Sequence, residues 1–299
     1  MRPQHIALAV LIAAVWGFNF VAIKWGVTGV PPFFLTAARF ALAAFPALLF
    51  IARPKENWRW VAGFGLVLGV GQFGFLFLAV RLGLPVGLTS LVMQAQAFWT
   101  MLFAWLVLNE VPSARQVWGA IIGFVGIPTI AIGRWTVPDL VPLLLCIIAA
   151  AGWAAANIIS KKAKPKNTLS FVVWSSLAVP LPMLLMSWIF EDHAQIIAAV
   201  TSPTLQVVGS LVYLAFLSTL FGYAAWNYLF NHYAASTVAP FSLLVPLFGI
   251  LGGIVVFAER FDMFEFAGAV FIIAGLLVSN FGRTFKLRAG GPKAPSIQT

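Results

Sequence analysis

The chain has 299 residues, of which 62% are hydrophobic and 9% are charged, whereas soluble domains are about half apolar and about a quarter charged. So few charged side chains cannot cover a water-facing surface, and lipid is therefore expected to solvate much of the chain. The formal net charge of +10 would suit a nucleic-acid-binding protein, but the cations lie in short gaps between long apolar runs, which argues against nucleic acid as a partner.

Ten apolar segments are about long enough to cross a bilayer, which takes roughly 20 mostly apolar residues. In chain order they cover 6–23, 32–51, 60–80, 86–108, 114–132, 140–160, 169–190, 207–230, 238–258 and 264–281. Their apolar residues are continuous and do not alternate, which favours helices over a β-barrel. The sequence predicts an all-α membrane protein with about ten transmembrane helices in a lipid bilayer.

The distribution of Lys and Arg predicts that the N- and C-termini are cytoplasmic. In that orientation the inner loops and the two termini hold thirteen cations, whereas the outer loops hold only Arg81, Arg134 and Arg260. The Gly- and Pro-containing segment 284–299 predicts a disordered cytoplasmic tail.

The two halves of the chain resemble each other. A shift of 149 residues aligns Glu110 with Glu259, and a shift of 148 lays the Phe-Gly pair at 73–74 over the pair at 221–222. These matches, together with several aligned glycines, indicate an internal repeat.

Five helices in each half is an odd number, so the second repeat must be inverted in the membrane relative to the first. The predicted organisation is a first repeat over 1–134, a second over 135–283 and the tail over 284–299. Inverted repeats are typical of transporters and place a substrate site near the midplane between the halves. Channels also carry such repeats, so a channel stays open as an alternative to a carrier.

Several motifs occur in an order that resembles the EamA family of the drug/metabolite transporter superfamily. They are WGFNF at 16–20, the Arg-Phe pair at 39–40, QAQAF at 94–98, LLVP at 243–246, and the acids Glu110 and Glu259. The resemblance covers about 6–283 and implies a bacterial inner-membrane exporter of amino acids or related metabolites. Aromatic amino acids and cysteine or O-acetylserine are the implied substrates, and the protein would be a monomer or a homodimer.

Polar and aromatic side chains inside the spans are the candidate substrate-binding residues, because a polar group in lipid has to find a partner. Thr219 lies on the same helical stripe as Tyr223, Trp226 and Asn227. Such side chains also hold helices together, and an aromatic stripe also serves packing, so a structural role is the alternative for each. The set is Trp16, Asn19, Arg39, Gln72, Gln94, Gln96, Trp153, Asn157, Tyr223, Trp226 and Asn227.

Arg39 lies seven or eight residues into the second span, about 11 Å by helical rise. A charge at that depth is costly, so it is expected to face the bundle interior or a wet cavity. It would attract a substrate carboxylate or, alternatively, pair with helix-end carbonyls. Lys24, at the end of the first span, is expected to snorkel to the interface.

The acidic residues and the three histidines lie at helix ends or in loops, so no carboxylate is expected in mid-membrane. This favours facilitated export over proton antiport, with proton-coupled export of cysteine-type metabolites or drugs as the alternative. Glu110 and Glu259 are expected to act as anchors at helix termini. An intramembrane enzyme is disfavoured because no nucleophile with a base and no metal cluster falls inside the spans, and no cofactor or metal is expected.

Overall fold

The computed structural model describes residues 1–133, 137–233 and 238–281. These ranges form helices and turns and contain no strand. The helices are α1 (Pro3–Gly29), α2 (Pro32–Leu48), α3 (Trp58–Arg81), α4 (Val86–Leu108), α5 (Ala114–Gly133), α6 (Val137–Ala163), α7 (Thr168–Phe190), α8 (His193–Thr201), α9 (205–232), α10 (239–257) and α11 (Met263–Phe281).

Seven of these helices are long and apolar enough to cross a membrane, and α2, α10 and α11 contain shorter apolar helices of 10–17 residues. Each of the ten corresponds to one predicted span, so the expected multi-helix membrane fold is confirmed. Large apolar side chains such as Phe50 and Leu205 are almost fully exposed, as expected of a surface that lipid covers. Helix α8 was not predicted, because it is nine residues long and has no buried residue.

Helix boundaries follow from ordinary capping chemistry. Asn57, Asn167, Asp192 and Thr204 each accept a hydrogen bond from a backbone N–H in the first turn of α3, α7, α8 and α9. Helix α2 begins at Pro32, where the missing backbone N–H costs nothing because a first-turn donor has no partner within the helix.

Two helices widen into π-helical segments at equivalent places in the two halves, Val67–Gly74 in α3 and Tyr213–Phe221 in α9. These segments contain the two Phe-Gly motifs that the internal shift aligned, apart from Gly222, which follows the second segment directly. Single π-helical turns inside α-helices occur frequently at functional sites. Both segments contact α2, so the candidate site is built around irregular backbone.

The two halves run in opposite directions. Helix α4 begins beside Glu259, whose carboxylate accepts hydrogen bonds from the first two backbone N–H groups of that helix. The helix ends just before Glu110. Helix α1 ends beside Glu259, because Lys24 pairs with that residue. Helix α6, the equivalent of α1, ends beside Glu110, because Lys161 pairs with it. Equivalent helices therefore point to opposite ends of the molecule, which confirms the predicted inversion.

Helices α5 and α11, the last of each half, pack against each other backbone to backbone. A Cβ atom on Gly126 would lie 2.5 Å from the carbonyl oxygen of Gly268, and one on Gly119 would lie 2.6 Å from that of Gly275. A Cβ atom at either position would force the two helices to shift, so the glycines permit this close packing. The predicted repeat boundary at 134/135 and the predicted tail at 284–299 lie outside the described residues, so both stay predictions.

Candidate functional site

Arg39 of α2 is 3% exposed and lies among aromatic rings. Its guanidinium carbon is 4.0 Å from the centroid of the Phe73 ring and 5.5 Å from that of Phe40. Its Nη2 donates a hydrogen bond of 3.3 Å to Thr219 Oγ1, while Nε and Nη1 have no hydrogen-bond partner. Among the described residues no carboxylate forms an ion pair with Arg39. The guanidinium is therefore an uncompensated positive charge inside the helical bundle.

Two buried amides on neighbouring helices also keep an unpartnered acceptor. Asn19 Oδ1 on α1 and Gln72 Oε1 in the π-helical segment of α3 have no hydrogen-bond partner. Gln72 directly precedes Phe73, on whose ring Arg39 stacks. Buried acceptors of this kind cost about 1–3 kcal/mol each when they stay unpaired. The described site thus holds both donors and acceptors that are left over after folding.

An aromatic group adjoins these polar side chains. The Trp16 ring lies 5.8 Å from that of Tyr223 and 5.1 Å from that of Trp226, both at tilted angles. Trp16 Nε1 donates a hydrogen bond of 3.0 Å to the carbonyl oxygen of Ser218, which precedes Thr219. All three residues are half-buried, so none of them is fully enclosed by protein.

A second polar group joins α4 and α6. The Asn157 amide donates hydrogen bonds of 3.2 Å to Gln96 Oε1 and of 3.2 Å to Thr100 Oγ1. Trp153 lies one helical turn before Asn157 and is half-buried, and Gln94 is half-buried in a 3-10 turn within α4. These hydrogen bonds agree with the alternative role of Asn157, which is to hold α4 and α6 together.

The neighbour of Trp153 links the two groups. A Cβ atom on Gly152 of α6 would lie 2.4 Å from the carbonyl oxygen of Gly71 and 2.9 Å from the backbone nitrogen of Gln72. Gln72 therefore lies between Gly71, which packs against α6, and Phe73, which packs against Arg39.

The chain as a whole matches a known family. Residues 4–132 and 140–281 match the family model described as EamA-like transporter family. The chain belongs to this family.

Two relatives of this EamA-like transporter are named probable amino-acid metabolite efflux pump. The one from Salmonella typhimurium is 39% identical over 287 residues, covering 94% of this chain and 95% of its own length. The one from Escherichia coli strain K12 is 38% identical over 288 residues, covering 94% and 96%. A solved crystal structure, 18% identical, superposes with a TM-score of 0.61 over 94% of this chain and 98% of its own, which shows the fold alone. The family and these relatives indicate a transporter rather than an enzyme.

Most of the candidate residues of this EamA-like transporter fall into the two groups described above. Trp16, Asn19, Arg39, Gln72, Tyr223 and Trp226 lie on α1, α2, α3 and α9, and Gln94, Gln96, Trp153 and Asn157 lie on α4 and α6. The side chain of Asn227 lies outside the described residues.

Three features of the site were not predicted: Phe73 under the guanidinium, Thr100 beside Asn157, and the two π-helical segments. The aligned Phe-Gly pairs were the one signal in the sequence that pointed to Phe73. Two surface cavities contain none of the candidate residues. One of about 530 Å³ is an apolar groove between α4 and α5, and one of about 480 Å³ lies near Phe33 and Glu191.

Proposed function

We propose that the protein exports a small neutral amino acid or a closely related metabolite from the cytoplasm by alternating access, with the carboxylate of the substrate bound by Arg39. The observation that carries this proposal is the buried guanidinium with two unpartnered N–H groups and no paired carboxylate among the described residues. The names of the two relatives, probable amino-acid metabolite efflux pumps, support the same class of substrate and the direction of transport.

A carboxylate fits this guanidinium better than any other common metabolite group except phosphate. Arginine presents a planar fork of donors that matches two carboxylate oxygens, and charge-assisted bonds of this kind are about twice as strong as neutral ones. The ring of Phe73 covers one face of the guanidinium, so the ligand approaches at the edge that carries the free N–H groups.

The ammonium group of an amino acid has partners in the same group of residues. Asn19 Oδ1 and Gln72 Oε1 are acceptors without a donor, and an ammonium group has three N–H donors to offer. The half-buried rings of Trp16, Tyr223 and Trp226 supply apolar contact for a small or aromatic side chain. A zwitterion therefore satisfies the leftover charge and the leftover acceptors together.

We place the protein in the bacterial inner membrane with both termini cytoplasmic, because the Lys and Arg distribution favours that orientation. Facilitated diffusion is the proposed mode, because the acidic side chains among the described residues lie at helix ends. The most buried of them, Glu265, forms a capping box with Asp262 at the start of α11.

The test is a flux assay on protein reconstituted in liposomes, with a panel of labelled neutral amino acids. The Arg39→Gln variant should raise the half-saturating substrate concentration at least ten-fold, because it removes the charge that pairs with the carboxylate. Arg59→Gln is the matched control, since Arg59 is exposed at the start of α3. An unchanged half-saturating concentration in Arg39→Gln would show that Arg39 has a structural role.

A further inference from the structure

Two ion pairs lie at opposite ends of the bundle and are related by the internal repeat. Lys24 Nζ is 3.1 Å from Glu259 Oε1, and Lys161 Nζ is 2.5 Å from Glu110 Oε2. Helix α4 runs from the first pair to the second, so its 23 residues separate them by about 35 Å. Each pair therefore lies near one face of the membrane-spanning region.

Each pair joins the first helix of one repeat to the other repeat. Lys24 near the end of α1 pairs with Glu259, the second residue after α10, and Lys161 near the end of α6 pairs with Glu110, the second residue after α4. Lys24 and Glu110 belong to the first half of the chain, whereas Glu259 and Lys161 belong to the second, so both pairs bridge the two halves. A movement of one half against the other has to stretch at least one of the pairs.

Both pairs lie directly beyond the candidate site. Lys24 is five residues after Asn19 along α1, about 7.5 Å, and Lys161 is four residues after Asn157 along α6, about 6 Å. Each pair therefore lies between a candidate residue of its own helix and the nearer face.

The same backbone feature presents both glutamates. Asn109 and Ala258, the residues directly before them, adopt left-handed backbone conformations with φ of 55° and 52°. The next backbone N–H turns back to the helix, from Glu110 to the carbonyl oxygen of Ala104 and from Glu259 to that of Gly253. An alanine in this conformation is strained, so the turn at Ala258 is held by its surroundings.

The two pairs are not equally secured. The side chains of Lys24 and Glu259 are 31% and 9% exposed, whereas those of Lys161 and Glu110 are 54% and 48% exposed. Lys24 Nζ also lies 4.2 Å from the centroid of the Phe257 ring, and Glu259 accepts the backbone N–H groups of Val86 and Gly87 at 2.7 Å and 2.9 Å. Exposed pairs contribute little because water and salt screen them, so the Lys24–Glu259 pair is the stronger contact.

We propose that these two ion pairs are the latches of an alternating gate, each closing the passage at its own face. In this structure the Lys24–Glu259 latch is the tighter one, so the resting protein is closed at that face and opens more readily at the Lys161–Glu110 face. This inference rests on the proposed function, under which the tight latch is periplasmic and the loose one is cytoplasmic. An exporter in that resting state loads its substrate from the cytoplasm.

Spin-label distances across each face test the latches without any substrate. The background is Cys146→Ala, because Cys146 is the single cysteine of the chain. One label pair, Thr28→Cys with Arg260→Cys, spans the tight face, and the other, Val111→Cys with Lys162→Cys, spans the loose face. All four positions are exposed, so the labels do not disturb the core.

Compared with the unsubstituted protein, Lys24→Met should increase several-fold the population in which the label-to-label distance between positions 28 and 260 is long. The distribution of distances between the labels at 111 and 162 should become narrower. This variant removes the ion pair but keeps the Glu259 carboxylate on the backbone of α4, and Lys24→Arg should restore the original distribution. Lys161→Met should widen only the 111–162 distances, and its exposed position guards against a folding defect. Unchanged 28–260 distances in Lys24→Met would overturn the proposal and leave Glu259 as a cap of α4.

The outcome is separable from that of the flux assay, because the distances need no transported solute. If Arg39→Gln transports normally while the distances shift as expected, the substrate assignment fails and the latches stand. If Arg39→Gln loses affinity while the Lys24→Met and Lys161→Met distances stay unchanged, the substrate assignment stands and the latch proposal fails.

Discussion

At the scale of single residues, Gly222 controls where Trp16 lies. A Cβ atom on Gly222 would be 2.5 Å from Trp16 Nε1, the atom that donates to the carbonyl oxygen of Ser218. Any larger side chain therefore has to displace the indole and break its hydrogen bond. The aromatic part of the candidate site depends on this absence of a side chain.

We predict that Gly222→Ala lowers transport several-fold with near-normal expression, because the displaced indole leaves the site. The readout is initial flux in the liposome assay. Gly209→Ala in the same helix is the matched control, since a Cβ atom there meets nothing within 4 Å. Equal flux in Gly222→Ala and Gly209→Ala would show that Trp16 takes no part in substrate binding.

Asn19, Arg39 and Gln72 are buried, as the sequence predicted for polar residues in the spans, but the sequence did not predict what they touch. The high cost of a charge in lipid was enough to place Arg39 in the interior. The contact of its guanidinium with Phe73 and Thr219 depends on how three helices pack, which no local pattern encodes. For the same reason the sequence predicted snorkelling for Lys24, whereas the structure pairs it with a residue 235 positions away.

At the scale of helices, the close pair of α5 and α11 is held by glycines whose Cα atoms face the partner backbone. We predict that Gly126→Ala destabilises the purified protein by about 1–3 kcal/mol, because the added methyl meets a carbonyl oxygen 2.5 Å away and forces the helices apart. The measurement is the thermal unfolding midpoint in detergent.

Gly63→Ala on α3 serves as the comparison, because its Cβ atom would meet nothing within 4 Å. Alanine is the better helix former, so this change should leave the midpoint unchanged or raise it slightly. A midpoint of Gly126→Ala equal to that of Gly63→Ala would show that α5 and α11 can move apart at no cost.

The extent of the helices was readable from the sequence, because a bilayer sets a minimum length of apolar run that composition alone reveals. The irregular segments within these helices could not be predicted from the sequence. The π-helical segments of α3 and α9 differ from α-helix only in which carbonyl each N–H selects, and neither segment contains a proline that would mark the change. The break in α7 before Pro180 has a local cause, since proline has no backbone N–H with which to continue the preceding hydrogen-bond pattern.

Across the whole protein, the Asp and Glu side chains among the described residues lie at helix ends or in loops. Glu110 and Glu259 themselves are each engaged by a lysine at a helix end. We therefore predict that net flux in liposomes is unchanged when an imposed pH gradient is collapsed with a protonophore. Protein-free liposomes give the leak that must be subtracted, and a strict requirement for the gradient would contradict facilitated diffusion.

The pairing of α5 with α11 also has a consequence for synthesis. Gly126 and Gly268 lie 142 residues apart in the chain, although their backbones are in contact in the folded protein. At typical translation rates, α5 enters the membrane on the order of ten seconds before its partner exists. Until α11 arrives, the glycine face of α5 has to be covered by lipid or by another inserted helix, and this helix pair cannot form before α11 has left the ribosome.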